Sequence, residues 1–164
     1  MEWCRISSDN HIIPSVYIDA DACPVKEEII QLSENKNISL HFVASYDHKT
    51  TMEYENVKWS YVDPGPDSTD FFIFKHIQKN DVLITQDIGL ASLALNKGAL
   101  ALSPRGRRFT EDSIETALEF RYLSRKAREA GIYEKGPKAF SKDDKRKFRQ
   151  EYIKILSKYV GFSK

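Results

Sequence analysis

The chain has 164 residues, 41% of them apolar and 12% aromatic, which is enough for one domain with a real core. Nothing in it approaches the ~20 consecutive apolar residues of a membrane helix, and residues 1–15 carry no hydrophobic export signal, so a cytoplasmic location with no membrane partner is expected. The net charge of +1 hides a split: residues 1–104 hold 8 Lys/Arg against 15 Asp/Glu, and residues 105–164 hold 17 against 9, an acidic part beside a basic part that suits a metal ion and a polyanion. The two cysteines, Cys4 and Cys23, fit a reducing compartment and form no zinc pattern; Cys23 reads as a small buried residue.

In chain order, residues 1–15 read as a polar arm. Val16-Tyr17-Ile18 is a buried strand running into Asp19-Ala20-Asp21, and Pro24 opens a helix over about 24–35. Residues i and i+2 of a strand share a face, so Asp19 and Asp21 converge if the strand reaches Asp21. Ile38–Ala44 is a second strand, followed by a polar loop from Ser45 to Asn56. Val57–Val62 is a third, stopped by Asp63-Pro64-Gly65-Pro66. Asp67-Ser68-Thr69-Asp70 starts a helix through Ile77, with Phe71, Phe72 and Phe74 expected in the core and His76 at the surface or packed. Val82–Thr85 is a fourth strand ending at Gln86-Asp87; a helix over 88–96, Gly98 and a fifth strand Ala99–Leu102 follow. Strand and helix alternate, which predicts a single α/β domain with a mainly parallel, about five-stranded sheet and helices on both faces. Beyond it lie a basic loop (Ser103–Arg108) and two basic helices, over about 110–130 and after Ser141, expected to pack back onto the sheet. Tyr122, Phe148 and Tyr152 on those helices could stack bases, but core packing accounts for them equally well.

In such a sheet ligands bind beyond the carboxyl ends of the strands, where the strand order reverses. Those ends carry Asp19, Asp21, Asp63, Thr85, Asp87 and the arginines 105, 107 and 108, with Asp67 and Asp70 at the adjacent helix start. If the first and fourth strands are neighbours, Asp19, Asp21, Asp70 and Asp87 share one crevice. Clustered carboxylates bind hard cations such as Mg²⁺ or Mn²⁺, and such ions serve phosphodiester hydrolysis, with Arg105, Arg107 and Arg108 holding phosphate. Each acid also has a plainer role open to it, Asp67 and Asp87 as helix caps above all. Ser45 and His48, after the second strand, stand at the same end and could line the crevice; His11 and His41 carry no signal.

Five stretches, 17–25, 63–70, 84–91, 103–110 and 136–141, resemble the YaiI/YqxD family of bacterial proteins over residues 16–158, leaving an arm at 1–15 and a tail at 159–164. That family is similar to PIN-like domains, metal-dependent nucleases built on a parallel sheet. The resemblance implies Asp19, Asp70 and Asp87 as metal ligands with Asp21 beside them, and Thr85 as the hydroxyl two residues before an acid. The doubled Asp19/Asp21 departs from the PIN pattern and is similar instead to the Asp-x-Asp of haloacid-dehalogenase-like phosphohydrolases, which also need a Lys, for which Lys97 is available. The expectation is a Mg²⁺- or Mn²⁺-dependent nuclease with Asp19, Asp21, Asp70 and Asp87 as catalytic and metal residues, acting on nucleic acid, RNA before DNA. A protein partner or homo-oligomer is also open. The alternatives are that phosphohydrolase and a non-catalytic RNA-binding module.

Overall fold

The computed structural model describes residues 13–46, 54, 56–136 and 138–159. The arm expected at 1–15 lies outside them except for its last three residues, and Ser15 already belongs to the sheet. In order come β1 (Ser15–Asp19), α1 (Lys26–Ser33), β2 (Ser39–Ser45), β3 (Val57–Val62), α2 (Ser68–His76), β4 (Val82–Ile84), α3 (Ile88–Asn96), β5 (Leu100–Leu102), α4 (Glu111–Glu129) and α5 (Lys142–Tyr159). All strand pairings are parallel and the order is β3-β2-β1-β4-β5. The chain winds outward from β1 to β3, then returns to lay β4 on the other side of β1. That reversal makes the β1/β4 junction the switch point.

Alternation along the strands assigns the two faces. Val16, Ile18, Phe42, Ile84 and Leu102 face a core closed by α1 and α5, through Ile29, Phe148, Tyr152 and Ile155. Tyr17, Val43, Leu83 and Ala101 face the other core, closed by Ile73 and Ile77 of α2 and by Leu90, Ala91 and Ala94 of α3. Each sheet face is therefore covered, as a parallel sheet requires. Polar links fasten α5 to α1: the Ser33 and Tyr152 hydroxyls lie 2.7 Å apart, and Lys145 pairs with the buried Glu28 at 2.9 Å.

The C-terminal helices behave differently from each other. α5 packs back onto the sheet as expected, so Phe148 and Tyr152 are core residues and not base-stacking ones. α4 does not: of its residues only Ile114 is buried, and Leu118, Phe120, Tyr122 and Leu123 are exposed. Its partner is α3 alone among the stronger helix contacts. The expectation for the phenylalanine run also needs correcting. Ile73 is the core residue of that turn, Phe72 and Phe74 are half-buried, and Phe71 points outward at 68% exposure.

Candidate active site

The alternation that sorts the cores also builds the site. Asp19 follows Tyr17 by two residues and Thr85 follows Leu83 by two, so both continue the α2/α3 face past the ends of their strands. Because Tyr17 is paired with Leu83 in the β1/β4 register, Asp19 and Thr85 arrive side by side. The Thr85 hydroxyl, in a side chain only 1% exposed, donates to Asp19 Oδ2 at 3.2 Å. The Thr85 hydroxyl oxygen itself accepts the Asp87 backbone N–H at 3.0 Å. Thr85 thus couples the end of β1 to the start of α3. Asp87 N-caps α3, accepting from the Leu90 N–H at 3.1 Å.

Asp70 reaches the same place from the first turn of α2. Its carboxyl hydrogen-bonds to that of Asp87 and lies within the field of Asp19. Burial, then the charge of Asp87, then that of Asp19 push Asp70 up to about 6. Burial also raises Asp19, against the Thr85 hydrogen bond and with the charges of Asp21 and Asp87 adding to the rise. Three carboxyls therefore share the crevice, and near neutral pH one of them is reluctant to ionise. The N-termini of α2 and α3 both supply their positive ends there, which offsets part of the repulsion.

Asp21 sits apart from this trio. The strand stops at Asp19 and residues Ala20–Ala22 form a turn of 3-10 helix, so the two acids do not share a strand face. Asp21 is exposed and accepts from the Ser45 N–H at 3.0 Å, the Ser45 hydroxyl at 3.4 Å and the Thr69 hydroxyl at 3.3 Å. It clamps the ends of β1, β2 and α2 together. Asp67 is exposed in the left-handed conformation (φ 67°) before α2 and makes no side-chain cap; Asp63 is exposed too. His48 lies outside the described residues. Burial pushes the Cys23 thiol up to about 11, which leaves it a small buried residue at neutral pH.

The three loop arginines part company. Arg105 pairs with Asp144 of α5 at 2.8 Å and Arg108 with Glu151 at 2.9 Å, so both hold the loop to α5. Arg107 is exposed and makes no ion pair among the described residues. It lines a cavity of about 550 Å³ together with Gln86, Ile88, Phe109, Lys138 and Lys147; Gln86 and Ile88 flank Asp87, so this basic hollow adjoins the acids. Lys97 is elsewhere: its ammonium is bound to the carbonyls of Phe74 and Ile77 at the far end of α2. Thr69 was not foreseen as a site residue, though it stands beside Asp70 in the quoted Asp67–Asp70 stretch. Its burial at 9% exposure with a hydroxyl on Asp21 gives it a fixed structural part.

Among the described residues no group of three or more His, Cys, Asp or Glu side chains is arranged closely enough to hold a metal ion. The donor chemistry nonetheless fits a hard divalent cation, because the trio offers carboxylate oxygens only and resists full ionisation without a positive charge. Proton and cation would compete for the same oxygens. One consequence is testable without any metal. Asp70 holds its proton more tightly folded than unfolded (3.8), so stability is fully present below about pH 4 and declines as pH rises through about 6. The two-step gap would amount to ~3 kcal/mol in a dry site; Asp70 is only half-buried, and screening reduces this to ~1 kcal/mol. Asp70→Asn is therefore expected to melt ~2–4 °C above wild type at pH 7.5 and together with it near pH 4. A gap in melting temperature that ignores pH would sink the assignment.

No helix of the described residues is long and apolar enough to cross a membrane. The model of a bacterial family described as uncharacterised, YaiI/YqxD, matches residues 17–158. A UPF0178 protein of Bacillus velezensis is 45% identical over 163 residues, covering 99% of this chain and 97% of that protein. One from Bacillus cytotoxicus is 47% identical over 149 residues (91% and 97%), and one from Halalkalibacterium halodurans 43% over 155 (94% and 98%). With a match that runs from β1 to the end of α5, the chain belongs to the YaiI/YqxD family.

Proposed function

We propose that this protein is a divalent-metal-dependent nuclease that hydrolyses phosphodiester bonds, in RNA before DNA. The observation that carries the reading is the crevice at the β1/β4 switch point, where Asp70 meets Asp87 and Asp19 and where burial first, then the charges of Asp87 and Asp19, hold Asp70 near 6. Asp19, Asp70 and Asp87 would hold Mg²⁺ or Mn²⁺, and the bound ion would supply charge neutralisation at the phosphate and a more acidic water.

The residues divide the remaining work. The Thr85 hydroxyl and the Asp21 backbone N–H together fix the Asp19 carboxylate. The cap to Leu90 fixes one oxygen of Asp87 in the same way. Asp70 would complete the carboxylate set around the ion; the proton that an attacking water releases as its oxygen bonds to phosphorus would pass to solvent, and the broken P–O bond would leave an oxygen that takes a proton back. Arg107, Lys138 and Lys147 around the neighbouring cavity suit the phosphates of the strand. The position of Lys97 at the opposite end of α2 speaks against the haloacid-dehalogenase-like alternative, which needs a cation at the acids.

The test is cleavage of single-stranded RNA by the full chain with Mn²⁺, against Asp19→Asn and Asp87→Asn. Loss in both variants, with folding intact, is the expected result. Cleavage that survives both, or salt-sensitive RNA binding with no cleavage by wild type, overturns the reading, the second in favour of a binding module.

A further inference from the structure

The loop arginines expected to hold the polyanion are largely consumed by α5, which raises the question of where unpaired positive charge stands. It stands on α4. Arg121, Arg125 and Arg128 follow one another at i, i+4 and i+7, on one side of a helix. The residues three and four positions before each of them include no acid, and none of the three makes an ion pair among the described residues. Arg105, Arg108 and Arg146 all do. Together with Leu118 and Tyr122 the three arginines line a shallow hollow of about 470 Å³. Tyr122 is 52% exposed there, and the Arg125 guanidinium and Lys126 ammonium each lie 5.7 Å from its ring centre.

We propose that this face of α4 binds single-stranded nucleic acid, with phosphates on Arg121, Arg125 and Arg128 and a base on Tyr122. An exposed aromatic ring among unpaired guanidinium groups is the pairing that single strands use, since every base has a stacking face and every linkage a charge. Three arginines in a row oppose a second copy of the same face, because like would meet like. The proposal rests on the nuclease reading for its choice of polyanion. It adds an anchor outside the crevice: at 1.5 Å per residue, Arg121 to Arg128 lie ~16–27 Å along the helix from Thr110, which follows the short antiparallel return of Arg108 and Phe109 beside β5. These are positioning residues that hold the strand while the acids act elsewhere.

The experiment measures fluorescence anisotropy of a labelled 12-mer oligouridylate with the full chain, in EDTA, over a range of KCl concentrations. Each phosphate contact to a single strand adds about −0.7 to the slope of log affinity against log salt. Arg121→Ala/Arg125→Ala/Arg128→Ala is expected to flatten the slope by about 2, and to weaken binding roughly 10²-fold at 0.1 M relative to 1 M salt. Tyr122→Ala is expected to lose about tenfold with the slope kept, and Tyr122→Trp to restore it. A charge-matched control, Lys142→Ala/Arg149→Ala/Lys158→Ala on exposed positions of α5, is expected to keep the wild-type slope. Equal losses in the two triple variants would mean diffuse attraction and overturn the proposal. So would an unchanged slope in the α4 variant, or sedimentation showing that the α4 substitutions split a dimer without touching RNA binding. Because EDTA removes cleavage from the readout, α4-dependent binding without Mn²⁺-dependent cleavage would remove the nuclease reading and leave this one standing.

Discussion

Gly106→Ala is expected to lower the stability of the protein by ~3–4 kcal/mol, seen as a fall in the urea midpoint with little change in the slope of unfolding. Two effects add. Gly106 has φ 82°, a left-handed conformation that disfavours a side chain by ~1–2 kcal/mol. A Cβ there would also lie 2.4 Å from the Lys147 carbonyl carbon, 2.5 Å from the Phe148 nitrogen and 2.7 Å from the Lys147 oxygen. Those are backbone atoms inside α5, next to the buried Phe148, so they cannot swing aside as a flexible side chain would. Overpacking of this kind is worth ~1–3 kcal/mol. Gly131→Ala isolates the first effect: Gly131 has φ 80° with nothing within 4 Å of its would-be Cβ, and ~1 kcal/mol is expected. Equal losses in the two variants would show that the loop does not press on α5. The contact matters to the site because it seats the loop that carries Arg107, with the Arg105–Asp144 and Arg108–Glu151 pairs on either side of it.

That contact also marks where reading the sequence stops. The sheet was legible because Val16-Tyr17-Ile18 and Val82-Leu83-Ile84 are short apolar runs that each end on an acid before a helix, a local pattern that no distant contact had to supply. The same locality brings Asp19, Asp21, Asp70 and Asp87 to one end of the sheet, and the family resemblance is what sets Asp19, Asp70 and Asp87 ahead of Asp21. Whether Asp21 shares the strand face of Asp19 is open in the sequence, because the strand stops at Asp19 and the orientation of Asp21 is decided by Ser45 and Thr69, which come from β2 and α2. Arg105 and Arg108 read as free cations for a related reason: their partners, Asp144 and Glu151, lie 39 and 43 residues further on. A clue was present, since Asp144, Phe148, Glu151 and Tyr152 share one side of α5 and two acids interrupt its apolar stripe. The exposure of α4 had no such clue. Ile114 and Leu118 stand four apart like the apolar face of any packed helix, and only the tertiary structure leaves Leu118 outside.

Asp87→Asn and Asp87→Ala are expected to be equally inactive and unequally stable. Asp87 does two things at once: one oxygen caps α3 through the Leu90 N–H, and the carboxyl as a whole raises Asp70 by its charge and its hydrogen bond. Asparagine caps a helix about as well as aspartate, whereas alanine gives up ~1 kcal/mol. Asp87→Asn also removes a like charge from beside Asp70 and Asp19, so its melting temperature at pH 7.5 should equal or exceed that of wild type. Asp87→Ala should fall ~2–4 °C below Asp87→Asn. In both variants Asp70 loses the second-largest influence on its titration, after burial, and the decline of stability between pH 4 and 6 should become shallower. In the RNA cleavage assay both should lose roughly 10²-fold or more, the scale on which removing one preorganised charge acts at a reacting centre. The pair of variants thus separates two accounts of the same carboxylate. If Asp87→Asn cleaves like wild type while Asp87→Ala melts early, Asp87 is a helix cap and nothing else, and the metal reading loses one of its three ligands. If Asp87→Asn is inactive and fully folded, the charge itself is what the crevice needs, and a charge kept beside two others at the expense of stability is kept for what it binds.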